Sequence, residues 1–118
     1  MDVVTAYLYG SLDSDIYIKV PEGLEIPNKN HNRNMYCVKL QKSLYGLKQS
    51  GRMWYNRLKE FLLQKEYSNN DDCPCVFINK SPTGFYIISV YVDDLNIIEN
   101  TLGIDEACNH LKKRWNSR

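Results

Sequence analysis

Residues 91–94 read Tyr-Val-Asp-Asp and stand between two apolar runs, 85–92 (FYIISVYV) and 95–98 (LNII). Two adjacent carboxylates beside a buried sheet are expensive to keep charged. Solvent at a hairpin tip, a metal ion or a basic partner must offset that cost. The pattern predicts a hairpin with Asp93-Asp94 at its turn. The nearly continuous apolar character of 85–92 predicts a central strand covered on both faces. Aspartate is also a common turn residue, so the pair alone is equally readable as an ordinary hairpin tip.

The rest of the chain supplies partners for that hairpin. Residues 2–9 (DVVTAYLY) are apolar and β-branched enough for a strand, followed by a turn over 10–15. Short strands are expected at 16–20 and 36–40, on either side of a Pro-, Gly- and Asn-rich loop at 21–35. A helix fits 51–66, with Ser50 as N-cap and Trp54, Leu58, Phe61 and Leu62 on one face. A turn-rich break at 69–74 leads to a strand at 75–79 and a tight connection at 80–84. A last helix fits 102–115, with Ile104, Ala107, Cys108, Leu111 and Trp115 on one side. The expected fold class is α+β, an antiparallel sheet backed by helices.

Length and charge narrow the classes further. A chain of 118 residues with 43% apolar content is one domain or part of one, able to bury a modest core. Net charge is +1, so no whole-chain basic signature marks a nucleic-acid binder. Basic residues do concentrate at Lys39, Lys42, Lys48, Arg52 and Arg57, with no acidic residue between them. No apolar run approaches the roughly 20 residues of a membrane-spanning helix. The opening MDVVTAYLYG lacks the basic start of a signal peptide, so an intracellular protein with reduced cysteines is expected. Cys73-Pro74-Cys75 is too closely spaced for the usual zinc pair. Neither a phosphate-binding glycine loop nor a Ser-His-Asp arrangement is present.

Asp2 heads one apolar run as Asp93 ends another. Set side by side in an antiparallel sheet, the two strands would bring Asp2 next to Asp93 and Asp94. Three carboxylates at one sheet edge would hold two divalent ions for phosphoryl or nucleotidyl transfer. Oxygen ligands favour Mg²⁺ or Mn²⁺ over zinc. Taken by itself, an aspartate in this position faces water.

Three ordered segments carry a family resemblance. MDVVTAYLYGSLDSDIYIKVPEG at 1–23, VKLQKSLYGLKQSGRMWY at 38–55 and YVDD at 91–94 are similar, in order and spacing, to the Ty1/copia-type reverse transcriptase domain of LTR retrotransposons. The match spans essentially the whole chain. The resemblance implies a partial polymerase palm with part of the fingers, extending beyond 1–118 in both directions. It implies DNA synthesis templated by RNA or DNA, in which a primer 3′-hydroxyl attacks the α-phosphate of a deoxynucleoside triphosphate. Asp2, Asp93 and Asp94 would be the catalytic and metal-binding triad, with two Mg²⁺ or Mn²⁺ ions. Tyr7 would stack under the nucleotide sugar and exclude a 2′-hydroxyl. Tyr45, Gly46 and Lys48 would lie near the nucleotide or template, and Gly46 would permit close backbone approach. Tyr91 would support the primer terminus and Arg52 would contact phosphates. Without the resemblance, Tyr7 and Tyr91 read as core aromatics, Gly46 as a turn glycine, and Lys48 and Arg52 as a solvated face.

Several positions depart from the family pattern. Val4 stands for a usual Lys, Tyr9 for Asn, Ser50-Gly51 for Ala-Pro, and Cys73 for Asp. These changes mark a diverged copy and leave the carboxylates untouched. A piece lacking flanking fingers and thumb would have little or no activity by itself. The parent would be a Pol polyprotein with further domains, located in the cytoplasm within virus-like particles, or in the nucleus, with no membrane partner. The alternatives are a non-catalytic nucleic-acid-binding or interaction module and an inactive retrotransposon relic.

Overall fold

The computed structural model describes residues 1–82, 84–100 and 104–115, and of 104–107 the backbone alone. Its centre is a four-stranded antiparallel sheet in sequence order, β3 (Ser68–Asn69), β4 (Val76–Ser81), β5 (Gly84–Tyr91) and β6 (Asp94–Glu99). A separate two-stranded ribbon pairs β1 (Tyr17–Lys19) with β2 (Cys37–Lys39). Two helices complete the fold, α1 (Ser50–Gln64) and α2 (Ile104–Arg114). The fold is α+β, as expected.

The period of two in the sheet sorts its residues onto two faces. Phe77, Ile88 and Ile97 share one row and Val90 and Leu95 the next. This face packs on Trp54, Leu58 and Leu62 of α1 and on Leu111 and Trp115, which together form the core. Trp115 meets Trp54 edge-on at 5.2 Å and Phe61 at 4.6 Å. Such aromatic pairs add about 0.5–1.5 kcal/mol each beyond area burial. The periodic apolar face read into the first helix is therefore present; of the face read into the last one, Leu111 and Trp115 are buried and Cys108 is half-buried, and the side chains of Ile104 and Ala107 lie outside the described residues.

The expectation that β5 is covered on both faces is corrected. β5 is interior in the sheet order, but only Ile88 and Val90 are buried along it. Both helices pack on one face. The other face carries the row Ile78, Ile87 and Ile98, and Ile98 is exposed.

The strand expected over 2–9 is also corrected. Only Asp2 and Val3 are extended, and Ala6–Tyr9 form a 3₁₀ turn. Thr5 takes a left-handed conformation with φ 57°, which reverses the chain, and the Ala6 amide then donates to the Val3 carbonyl at 3.2 Å. Burial of Val3 and Ala6, three positions apart, suits a helical turn better than a strand.

Helix α1 begins one residue earlier than expected, and Ser50 does not cap it. Gln49 occupies the cap position without a side-chain bond. The buried Ser50 hydroxyl instead donates to the Leu44 carbonyl and accepts from Ser43 Oγ at 2.7 Å. At the far end, the Tyr67 amide donates to the Leu62 carbonyl at 3.0 Å and the Glu66 amide to Leu63 at 3.1 Å. This is a Schellman closure, with Glu66 rather than glycine at the left-handed position, φ 64°. Among the described residues no helix is long and apolar enough to cross a membrane.

Candidate active site

The site is built where the chain's first residues join the β5–β6 hairpin. The Leu95 amide donates to the Met1 carbonyl at 2.8 Å, and the Val3 amide donates to the Asp93 carbonyl at 3.1 Å. Asp2 and Asp94 are therefore directly opposed across an antiparallel bridge. The flanking bonds make this a non-hydrogen-bonded pair, the type that brings Cα atoms within about 4.5 Å and side chains closest. Val3, Val90 and Leu95 are buried in the core. Alternation then places Asp2, Asp94 and Tyr91 on the opposite, open face. Two like charges so placed repel.

The hairpin turn sits one residue earlier than expected. Tyr91 pairs with Asp94, so Val92 and Asp93 make the turn and Asp94 begins β6. Val92 has φ 55°, a conformation costly for a β-branched residue. A positive φ at the first central position alone is the type II′ pattern, which normally selects glycine there. Strain of this kind persists only where surrounding contacts impose it, and it concentrates at functional sites. The turn is tied to the core by Trp54, whose Nε1 donates to the Val92 carbonyl at 3.0 Å.

Asp93 is half-satisfied. Its Oδ1 is buried with no hydrogen-bond partner, and its Oδ2 accepts from the Tyr45 hydroxyl at 3.1 Å. Burial, and next the bond to Asp93, raise the Tyr45 phenol above its ordinary pKa. The Tyr45 ring stacks on Tyr7, with centroids 4.5 Å apart and planes at 21°. Gly46 follows at φ 91°, the left-handed region where glycine is at no disadvantage.

The expected residues thus divide. Asp2, Asp93, Asp94, Tyr7, Tyr45, Gly46 and Tyr91 gather around the hairpin. Lys48 is exposed on the loop before α1. Arg52 is held by Asp13, with Nη2 to Oδ2 at 2.8 Å. Its phosphate-binding role would require that exposed pair to open. Trp54 was legible only as a core residue. The missed signal was its indole N–H, which needs a partner when buried.

Asp2 and Asp94 are opposed across a bridge and Asp93 keeps an orphaned carboxylate oxygen; oxygen donors are the type that a hard divalent cation takes. Their carboxylates are not drawn together: among the described residues, no group of three or more His, Cys, Asp or Glu is close enough to hold a metal ion. The four cysteines are unbridged.

This hairpin and its opposed aspartates belong to a polymerase-derived chain. Residues 1–117 match the family described as reverse transcriptase (RNA-dependent DNA polymerase), and the protein is a member of that family. It is 42% identical over 105 residues to the retrovirus-related Pol polyprotein from transposon TNT 1-94 of Nicotiana tabacum, covering 88% of this chain and 8% of that protein. It is 32% identical over 120 residues to the transposon Ty1-NL2 Gag-Pol polyprotein of Saccharomyces cerevisiae, covering 100% of this chain and 6% of that protein. The retrovirus-related Pol polyprotein from transposon RE1 of Arabidopsis thaliana is 36% identical over 100 residues, covering 85% of this chain and 6% of that protein. The chain therefore spans less than a tenth of the length of these relatives. No solved structure matches it significantly.

Proposed function

We propose that this chain is the palm of a reverse transcriptase, with part of the fingers, and that Asp2, Asp93 and Asp94 are its metal-binding carboxylates. The observation that carries the reading is the register of Asp2 against Asp94, next to a strained turn that presents Asp93. Opposed like charges and an orphaned carboxylate oxygen are unfavourable without a cation and favourable with one.

Two Mg²⁺ or Mn²⁺ ions held there would activate the attacking primer hydroxyl and neutralise charge at the α-phosphate. The chain's own residues position the reactants. Tyr7 offers a ring face to the nucleotide sugar, and Tyr45 and Gly46 border the same space. Tyr91, 73% exposed beside Asp94, supports the primer terminus. Lys48 and Arg52 supply positive charge for phosphates. The substrates are an RNA or DNA template-primer and a deoxynucleoside triphosphate, and the natural setting is a Pol polyprotein within cytoplasmic particles. The spread of the three carboxylates favours a second reading for the isolated chain, a module that binds nucleic acid without catalysis.

Calorimetric titration of Mn²⁺ into the wild-type chain and into an Asp93→Asn, Asp94→Asn double variant tests the proposal. Binding that disappears in the double variant is expected, and primer extension then follows on a chain lengthened to the parent domain. Equal binding by both proteins would refute the carboxylate assignment.

A further inference from the structure

We propose that the loop before α1 is a platform for single-stranded nucleic acid, in which a base stacks on Tyr45 and the flanking phosphates meet Lys42 and Lys48. The inference rests on the nucleic-acid reading given above and needs no metal ion at the carboxylates.

The basic run from Lys39 to Arg57 divides by its partners. Lys39 is held by Asp15 at 2.7 Å, Arg52 by Asp13 at 2.8 Å and Arg57 by Glu60 at 2.9 Å. Lys42 and Lys48 are exposed and form no ion pair among the described residues. They stand three positions before and three positions after Tyr45. The two uncompensated cations of the run therefore bracket its one exposed aromatic residue. A net charge of +1 gives the whole chain little attraction for phosphates, so affinity must come from a local set such as this.

The ring is held ready. One face of Tyr45 lies on Tyr7, with centroids 4.5 Å apart, and its phenol donates to Asp93 at 3.1 Å. The residue is still 50% exposed, which leaves the opposite face to solvent. The loop beneath it is closed by the buried Ser43–Ser50 hydroxyl pair and by the Ser43 amide, which donates to the Gly10 carbonyl at 3.2 Å. A ring fixed in this way loses little freedom when a ligand lands on it. Beside it, a Cβ added to Gly46 would meet nothing within 4 Å, so the approach is unobstructed. An exposed ring face takes an unpaired base of any sequence, and not a base already stacked within a duplex. The Asp93 carboxylate at the hydroxyl end repels phosphate, which leaves the strand's backbone to the lysines.

The test is fluorescence anisotropy of a labelled oligothymidylate of about 12 nucleotides, in EDTA and at several salt concentrations. Circular dichroism melts confirm that each variant is folded. Wild type should bind this strand more tightly than the same strand in a duplex with oligoadenylate. Tyr45→Leu should weaken binding about tenfold with the salt slope unchanged, and Tyr45→Phe, which keeps the ring, should stay within about twofold of wild type. Lys42→Gln with Lys48→Gln should lower the salt slope by about 1.4, whereas Lys65→Gln with Lys80→Gln, a charge-matched pair away from the loop, should leave it unchanged. If Tyr45→Leu does not fold, the two lysine pairs decide. Tyr45→Leu binding as wild type does, equal effects of the two lysine pairs, or a preference for duplex would each overturn the platform and leave the nucleic-acid reading standing. Binding of neither strand nor duplex by wild type would remove both.

Discussion

Trp54 and Val92 are joined by a hydrogen bond from the indole nitrogen to the carbonyl oxygen at 3.0 Å, linking the core helix to the one strained residue of the Tyr-Val-Asp-Asp turn. The indole is buried, so its N–H requires this acceptor. Trp54→Phe should cost about 2–3 kcal/mol in urea denaturation, through lost volume and a lost hydrogen bond. It should also weaken Mn²⁺ binding at temperatures where the variant stays folded. Leu58→Ala, a buried change on the same helix, should cost as much stability and leave Mn²⁺ affinity unchanged.

Two left-handed residues offer a paired comparison. Glycine at Val92 or at Glu66 removes a steric penalty, partly offset by greater freedom in the unfolded chain. Each substitution should raise stability by about 0.5–1 kcal/mol, measured by chemical denaturation. Val92→Gly should loosen the turn and lower Mn²⁺ affinity. Glu66→Gly, which only completes the end of α1, should leave it alone.

Much of the sheet was legible from residue pattern, because β4, β5 and β6 are neighbours in sequence and their apolar runs are separated by turn-forming residues. The hairpin and the antiparallel approach of Asp2 could be anticipated for that reason. The turn position could not: Asp93-Asp94 is better turn chemistry than Val92-Asp93, and the tertiary bonds on the observed turn come from Trp54, Val3 and Tyr45, all distant in sequence. The 3₁₀ turn at Ala6–Tyr9 was hidden by β-branched, apolar composition. Its cause is the left-handed Thr5, a residue with no local preference for that region. Ser50 resembled a cap because serine is a good one. Its neighbour in space, Ser43, is what diverts the hydroxyl.

At Gly10 the first segment packs against α1. A Cβ there would lie 2.8 Å from Met53 Cβ and 3.1 Å from the Trp54 amide nitrogen, and neither can retreat easily. Gly10→Ala should destabilise by about 1–3 kcal/mol, visible as a lower melting temperature. The equivalent change at Gly46, which meets no neighbour, is strained only by its φ of 91°.

Tyr55 donates to the Pro74 carbonyl at 2.7 Å, and burial, followed by the nearby Cys75, raises its phenol pKa. A raised folded pKa means that the contribution is fully present below the unfolded value, near 10, and is lost as pH rises through the folded value. Tyr55→Phe should therefore cost about 0.5–1 kcal/mol at pH 8. The difference from wild type should shrink as pH climbs above 10, and denaturation at the two pH values measures it.

Asp93 and Asp94 ride on a meander of adjacent strands, but Asp2 reaches them from the other end of the chain, where the Met1 nitrogen bonds Leu95 across 94 positions at 3.0 Å. Closing a loop of that length carries an entropic cost of about 4 kcal/mol, recovered only when Val3 and Ala6 dock. In folding, the meander can therefore form early from local contacts, and the first segment joins a sheet already made. A partial opening that releases only those first residues would split the carboxylate set while the sheet stays intact. Two of the three aspartates are thus inherited from local sequence, and the third is a late arrival whose presence reports that the span from Met1 to Leu95 has closed.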